Sequence, residues 1–248
     1  MRNILITGAS SGIGAALAKE AARLGAERLF ISGRNAERLS DAAAKCACAV
    51  HQRTIDVTNR AAMREWLEEC DSIAPLDVVV ANAGRATGEE TETNARDTFA
   101  VNLDGALNTV FPAIDAMRRR RRGKIAIVSS MTAYHGMPQC PSYSASKAAL
   151  KAWGAGLRGM LAREGISVSV ICPGFVRSRI TDRNTCPMPF FMEADKAARI
   201  IWRGIARNAP LVAFPWQMRL ASWFMASLPE RLSSAIFARL PQKENPHA

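Results

Sequence analysis

Thr7-Gly8-Ala9-Ser10-Ser11-Gly12-Ile13-Gly14 continues the apolar run Asn3 to Thr7. It leads into Ala15, Leu17, Ala18, Ala21 and Leu24, apolar positions at helical spacing that Gly25 can end. Strand, glycine turn and helix in that order are the context a nucleotide-binding turn requires. The glycines let the backbone turn tightly and approach a pyrophosphate, while the helix N-terminus offers unpaired amides and partial positive charge. The spacing is GxxxGxG, a departure from the general GxGxxG fingerprint. Further along, Arg28 to Ser32, Val50 to Ile55, Leu76 to Ala81, Lys124 to Ser129, Ile166 to Ile171 and Leu211 to Phe214 read as short apolar strands alternating with helical patterns. That order predicts right-handed crossovers and a doubly wound parallel sheet of about seven strands with helices on both faces, an α/β fold. No Gly/Ser/Pro linker or internal repeat divides the chain, so residues 1–248 are expected to form one domain.

Composition narrows the function classes. The chain has 248 residues, 48% of them hydrophobic, enough for one sizeable core. Six cysteines without a CxxC pair and three histidines without zinc spacing (Cys186 and His247 among them) point to reduced thiols, a cytoplasmic setting and no metal. The first strand leaves no room for a signal sequence, and Gln217, Arg219 and Ser222 interrupt the best apolar stretch. The net charge of +11 favours anionic partners, but no motif or aromatic interleaving supports nucleic-acid binding. Its densest part, Arg118 to Arg122, follows a helix expected over Arg96 to Met117 and lies at the sheet end away from any nucleotide. It reads as a solvated helix cap or as contact with an anionic membrane or protein surface.

Tyr143 and Lys147 stand one helical turn apart in Ser142-Tyr143-Ser144-Ala145-Ser146-Lys147. A phenol ordinarily ionises near pH 10, so roughly 4 kcal/mol separates it from acid/base work at neutral pH. An exposed pair at this spacing contributes only about 0.2–0.5 kcal/mol, whereas an enclosed cation about 4 Å away contributes roughly 4 kcal/mol. The pair therefore needs a pocket, within which Lys147 is expected to lower the pKa of Tyr143. At the end of the second strand, Ser32-Gly33-Arg34 lacks the acid that holds the ribose of NAD, and Arg34 offers a charged fork to a phosphate. NADP(H) is the expected cofactor.

With the glycine turn, Tyr143 and Lys147 resemble the short-chain dehydrogenase/reductase family over nearly the whole chain, the last forty or so residues being the least typical. The resemblance implies a Rossmann fold, a homodimer or homotetramer, and hydride transfer between a nicotinamide and a carbonyl or secondary alcohol. Gly33 stands where the family's acid would sit. Gly8, Ser10, Ser11, Gly12, Ile13 and Gly14 would cradle the cofactor, Asp56 and Val57 its adenine, and Asn82, Ala83 and Gly84 would contact it after the fourth strand. Pro173 and Gly174 would bring backbone to the nicotinamide, with Val176 and Ser178 at its carboxamide; the family often has Thr where Ser178 stands. Ser130, thirteen residues before Tyr143, would polarise the substrate oxygen. Ser129 is its rival, since adjacent strand residues face opposite ways. Asn102 matches an asparagine that holds a water connected to the lysine, and Tyr143 and Lys147 would also touch the cofactor. Tyr134 lacks a lysine partner and is a poor acid, though it could line the pocket. A scaffold or sensor of the same fold would show erosion of this set.

After Gly174, residues 175–192 correspond to a substrate lid. Phe175, Ile180, Met188, Phe190, Phe191 and Met192, with Met137 and Cys140, suit either an apolar pocket for a keto or aldehyde substrate of lipid-like character, or a lid packed on its own core. Residues 215–248 form an atypical apolar extension. Trp216, Leu220, Trp223 and Phe224, then Leu232, Ile236, Phe237 and Leu240, recur at helical spacing. Burial against a second subunit, extension of the lid, and peripheral contact with a membrane all fit that pattern.

Overall fold

A computed structural model describes residues 1–86, 89–184 and 187–238. Parts of the expected lid and C-terminal extension, including Cys186, Leu240 and His247, lie outside the described residues. Strands β1 (Asn3–Thr7), β2 (Arg28–Gly33), β3 (Ala49–Thr54), β4 (Val78–Ala81), β5 (Gly123–Val128), β6 (Ile166–Pro173) and β7 (Leu211–Phe214) form one parallel sheet in the order β3-β2-β1-β4-β5-β6-β7. The order reverses between β1 and β4, which opens a crevice beyond their carboxyl ends. This is the doubly wound Rossmann arrangement. β4 begins later than the apolar run suggests: the Leu76 N–H donates to the Asp71 carboxylate at 3.0 Å, and bonds to the neighbouring strands start at Asp77.

Helices α1 (Gly12–Arg23), α2 (Ala36–Ala43), α3 (Arg60–Ile73), α4 (Glu92–Phe99), α5 (Gly105–Arg120), α6 (Pro141–Leu161), α7 (Ala194–Ala206), α8 (Trp216–Ser227) and α9 (Glu230–Ala238) complete the described structure. Strand alternation splits β1 between two cores. Ile4 and Ile6 pack with Leu17 of α1 and Trp202 of α7, whose indole N–H donates to the Leu17 carbonyl at 3.0 Å. Leu5 packs on the other face with Met63 and Trp66 of α3, Met117 of α5 and Leu157 of α6. Burial on both faces is why these strands read as near-continuous apolar runs. The helix expected over Arg96 to Met117 is longer and not uniform: α4 and α5 are joined by a π turn over Ala100–Asp104.

The arginine run at the C-terminal end of α5 is largely exposed, as a solvated cap would be, and also pairs with acids of neighbouring elements. Arg118 pairs with Glu164, Arg120 with Asp71 at 2.9 Å and with the Leu76 carbonyl, and Arg119 and Arg122 approach Asp71 and Asp77. Arg121 turns the chain at φ 51° and donates to the Arg163 carbonyl at 2.7 Å. The run ties the ends of α3, α5 and α6 below the sheet, at the end away from the crevice.

Candidate active site

The glycine turn is shaped by its neighbours. Gly8 (φ 66°) and Gly12 (φ 55°) occupy the left-handed region, and a Cβ on Gly14 would stand 2.3 Å from the Gly8 carbonyl oxygen. Asn82, at the end of β4, donates its side-chain amide to the Thr7 and Gly8 carbonyls at 3.0 and 3.2 Å, and the Thr7 hydroxyl accepts from the Asn82 and Ala83 N–H groups. Gly33 leaves room for Ser10, whose Oγ would lie 3.1 Å from a Cβ there. Gly12 does the same for Ser178, at 2.8 Å. Ser11 precedes α1 in extended conformation without capping it by its side chain, the first turn of α1 holds no acid, and Ile13 packs on the core. Unpaired amides, a partial positive charge and space kept by absent side chains fit a dinucleotide pyrophosphate.

At the end of β2 the exposed Arg34 guanidinium lies 3.9 Å from Asp56, whose other oxygen accepts from the N–H and hydroxyl of Thr58 at 3.0 and 2.8 Å. The guanidinium is held near the crevice edge but remains open to solvent. Val57 turns its side chain into the core against Gly105, so only its backbone faces outward chemistry, and its carbonyl accepts from Asn108 at 2.9 Å.

Helix α6 begins at Pro141, which needs no N–H in the first turn, and sets Tyr143 and Lys147 on one face. Gly154 lets it lie close on the sheet, since a Cβ there would meet Val170 at 2.6 Å. Lys147 is buried, its Nζ donating to the Val128 carbonyl at 3.0 Å, and the Ser129 hydroxyl donates to the Lys147 carbonyl at 2.6 Å. Alternation sends the next residue the other way: the Ser130 side chain stands beside Tyr143 and accepts from the Thr132 N–H at 3.2 Å. Asn102 is fully buried in the π turn. Its Oδ1 accepts from the Arg85 N–H at 2.7 Å, and its Nδ2 donates to the Arg85 carbonyl at 3.0 Å and to the Ser146 hydroxyl at 2.9 Å. Gly84 closes the group; a Cβ there would lie 3.3 Å from Lys147 Nζ and 3.5 Å from Asn102 Oδ1. Ser130, Tyr143, Lys147, Asn102 and Gly84 thus converge beyond the carboxyl ends of β4 and β5.

Burial governs the electrostatics. It pushes the Tyr143 phenol up to about 12, against the neighbouring Ser130 hydroxyl, which lowers it, and draws the Lys147 ammonium down to about 8. Lys147 Nζ lies 5.7 Å from the Tyr143 ring centroid and directs a proton to Val128. The expected lowering of the Tyr143 pKa by Lys147 does not appear: burial sets the upward direction, and the lysine, aimed at Val128, adds no lowering of its own. The raised pKa keeps the phenol protonated at neutral pH. Tyr134, expected to lack a lysine, has Lys151 Nζ 4.4 Å over its ring, and burial raises its phenol too.

Beyond β6, the Gly174 N–H donates to the Phe214 carbonyl at 2.8 Å. Val176 pairs with Met192 in a parallel bridge, and both are buried, so the base of the 175–192 segment joins the core. Ile180, Phe190 and Phe191 are exposed, and Arg177 lies over Phe191 while pairing with Glu193 at 2.8 Å. Among its described residues the segment is thus packed at its base and exposed at Ile180, Phe190 and Phe191. Cys140 lies near Tyr143, and the Met137 N–H donates to the Ser144 hydroxyl at 3.2 Å. Among the described residues no three His, Cys, Asp or Glu side chains cluster as metal ligands.

Three residues around the site escaped the sequence reading: Arg85, which exchanges two hydrogen bonds with Asn102, Glu90 and Ser146. Glu90 receives the Ser142 N–H and hydroxyl, and Ser146 links Asn102 to the Tyr143 carbonyl, to which it donates at 2.7 Å. The only local signal for Ser146 is a small polar residue on a buried helix face. Glu90 has none, its contact spanning fifty-two positions.

The family model described as short chain dehydrogenase matches residues 2–187. An uncharacterized oxidoreductase of Myxococcus xanthus is 37% identical over 249 residues, covering 96% of this chain and 97% of that protein. A short chain dehydrogenase from Mycobacterium paratuberculosis solved with NAD superimposes with a TM-score of 0.73 at 23% identity, over 83% of this chain and 90% of that one. A single-residue variant of actinorhodin polyketide ketoreductase with NADPH gives 0.76 at 24% identity, over 86% and 94%.

Proposed function

The chain belongs to the short-chain dehydrogenase family, and on that footing we propose that it is an NADP(H)-dependent oxidoreductase acting on an apolar carbonyl or secondary alcohol. The observation that carries this reading is the convergence of Ser130, Tyr143 and the buried Lys147 beyond the carboxyl ends of β4 and β5. The bound nicotinamide would supply or accept the hydride. Ser130 would hold the substrate oxygen, and Tyr143, kept protonated by its burial, would give that oxygen its proton. Lys147 would hold the cofactor's sugar, its desolvated charge strengthening any bond it makes. Asn102 keeps Gly84 and Arg85 in place around that lysine and would take part in proton supply.

The residues of the glycine turn, with Asp56, Val57, Asn82, Ala83, Gly84, Pro173, Gly174, Val176 and Ser178, would contact the cofactor. Preference for NADP(H) rests on Arg34, which faces solvent where an extra phosphate would sit, and on Gly33 in place of an acid. The exposed Phe111 ring, 5.8 Å from that of Trp153 across α5 and α6, suits packing of a second copy in a homo-oligomer. Oxidation of NADPH and NADH across ketones and aldehydes of rising chain length tests the reading. Faster turnover with NADPH and with longer chains supports it; no turnover with any carbonyl overturns it.

A further inference from the structure

Helix α8 lies on the protein by one side only. Met218 packs into the small cluster of Met131, Val170 and Cys172, and stands 2.6 Å from where a Cβ on Gly174 would be. The opposite side carries Trp216 (69% exposed), Leu220, Trp223 (61% exposed) and Phe224, at i, i+4, i+7 and i+8. No α8 residue is buried. Helix α9 adds exposed Leu232 and Ile236, while its Phe237 packs on His135 with ring centroids 4.4 Å apart, so the pair is anchored beside the segment that follows Ser130. A groove of about 510 Å³ runs from Tyr134 and Lys151 out to Trp216, Arg219 and Trp223.

We propose that the outer face of α8 and α9 docks the protein on an anionic lipid bilayer. The charges choose the occupant. Arg219 and Arg231 are exposed within this stretch, Lys151 lies at the groove, and between residues 215 and 238 the sole acid is Glu230. A second copy packed symmetrically on this face would bring the same arginines together with almost no carboxylate to meet them. Lipid phosphates and carboxylates supply the missing charge while the indoles and aliphatic side chains enter the boundary between headgroups and acyl chains. The helices are 12 and 9 residues long, and among the described residues none is long and apolar enough to cross a membrane, so they would lie in its plane. Docking requires nothing of the reaction, and either can fail without the other.

The test is flotation of the full chain with phosphatidylcholine vesicles containing or lacking phosphatidylserine, at low and high salt. The proposal expects binding that needs the anionic lipid and weakens with salt. Leu220→Glu with Trp223→Glu should reduce it about tenfold or more, Arg219→Glu roughly fivefold. Both variants should keep wild-type turnover of a short, water-soluble carbonyl and the wild-type circular dichroism spectrum. No flotation with anionic vesicles, or flotation unchanged in the glutamate variants, overturns the proposal. So does absence of flotation together with an oligomer that the double variant dissociates, which would assign the face to a second copy.

Discussion

Ser142 presents its backbone N–H and its hydroxyl to the two carboxylate oxygens of Glu90, each at 3.0 Å. Cys140, the residue at the N-cap of α6, makes no side-chain cap, so an acid from the loop after β4 caps the helix that carries Tyr143 and Lys147. The same loop is held at its other end by Asn102 and by the Arg85–Asp97 ion pair at 2.6 Å. Glu90→Ala should cost about 1 kcal/mol of stability and lower kcat about tenfold, with cofactor affinity nearly unchanged. Glu90→Gln, which keeps one acceptor, should recover most of the kcat. Thermal unfolding, cofactor titration and steady-state kinetics check these together; a fall in stability without a fall in kcat would leave Glu90 only a structural cap.

Lys147 should oppose function and stability. Its proton is lost near pH 8 in the folded protein and at 10.5 when unfolded, so between those values the unfolded state binds more protons and stability rises with pH. Below pH 8 the buried ammonium costs on the order of 3 kcal/mol, less about 1 for its bond to Val128. Lys147→Met should therefore raise the unfolding free energy at pH 7 by about 2 kcal/mol, abolish turnover, and lose its advantage as pH approaches 10. Denaturant titrations at pH 7, 8 and 9.5 measure this; a destabilised variant at pH 7 would contradict it.

Glycines sort by what surrounds them. Gly14→Ala meets the Gly8 carbonyl and should cost about 1–3 kcal/mol and most of the dinucleotide affinity. Gly156→Ala, on the exposed side of α6 with nothing within 4 Å, should instead stabilise by about 0.5–1 kcal/mol. Thermal melts with and without cofactor separate the two.

Arg34→Ala should weaken NADPH binding about 10- to 100-fold, the scale of a lost charge-assisted hydrogen bond, and leave NADH binding nearly unchanged. Fluorescence titration of both cofactors gives the ratio. An unchanged ratio would remove Arg34 from cofactor choice.

The sheet was legible because strands buried on both faces must be apolar throughout, and because Gly8, Gly12 and Gly14 mark a turn that little else satisfies. Half of the site was legible in the same way: Tyr143 and Lys147 are one turn apart, so helical geometry alone puts them together. The choice between Ser129 and Ser130 rested on a spacing, and the structure gives its physical counterpart, a Ser129 hydroxyl already committed to the Lys147 carbonyl. Long-range partners leave no local trace, which is why Glu90, Arg85 and the internal pairing of Arg118 to Arg122 were out of reach. The sign of the Tyr143 shift depends on enclosure, which spacing cannot report. The helical pattern of Trp216, Leu220, Trp223 and Phe224 was plain, but a periodicity does not say which side meets protein.

In the proposed reaction the Tyr143 phenol delivers the proton to the carbonyl being reduced. Single-turnover oxidation of bound NADPH by a carbonyl substrate, compared between the wild-type chain and Tyr143→Phe, measures it most directly. NADPH affinity should be equal in the two, and hydride transfer slower by about 10²- to 10⁴-fold in the variant. A rate within a few-fold of wild type would contradict it.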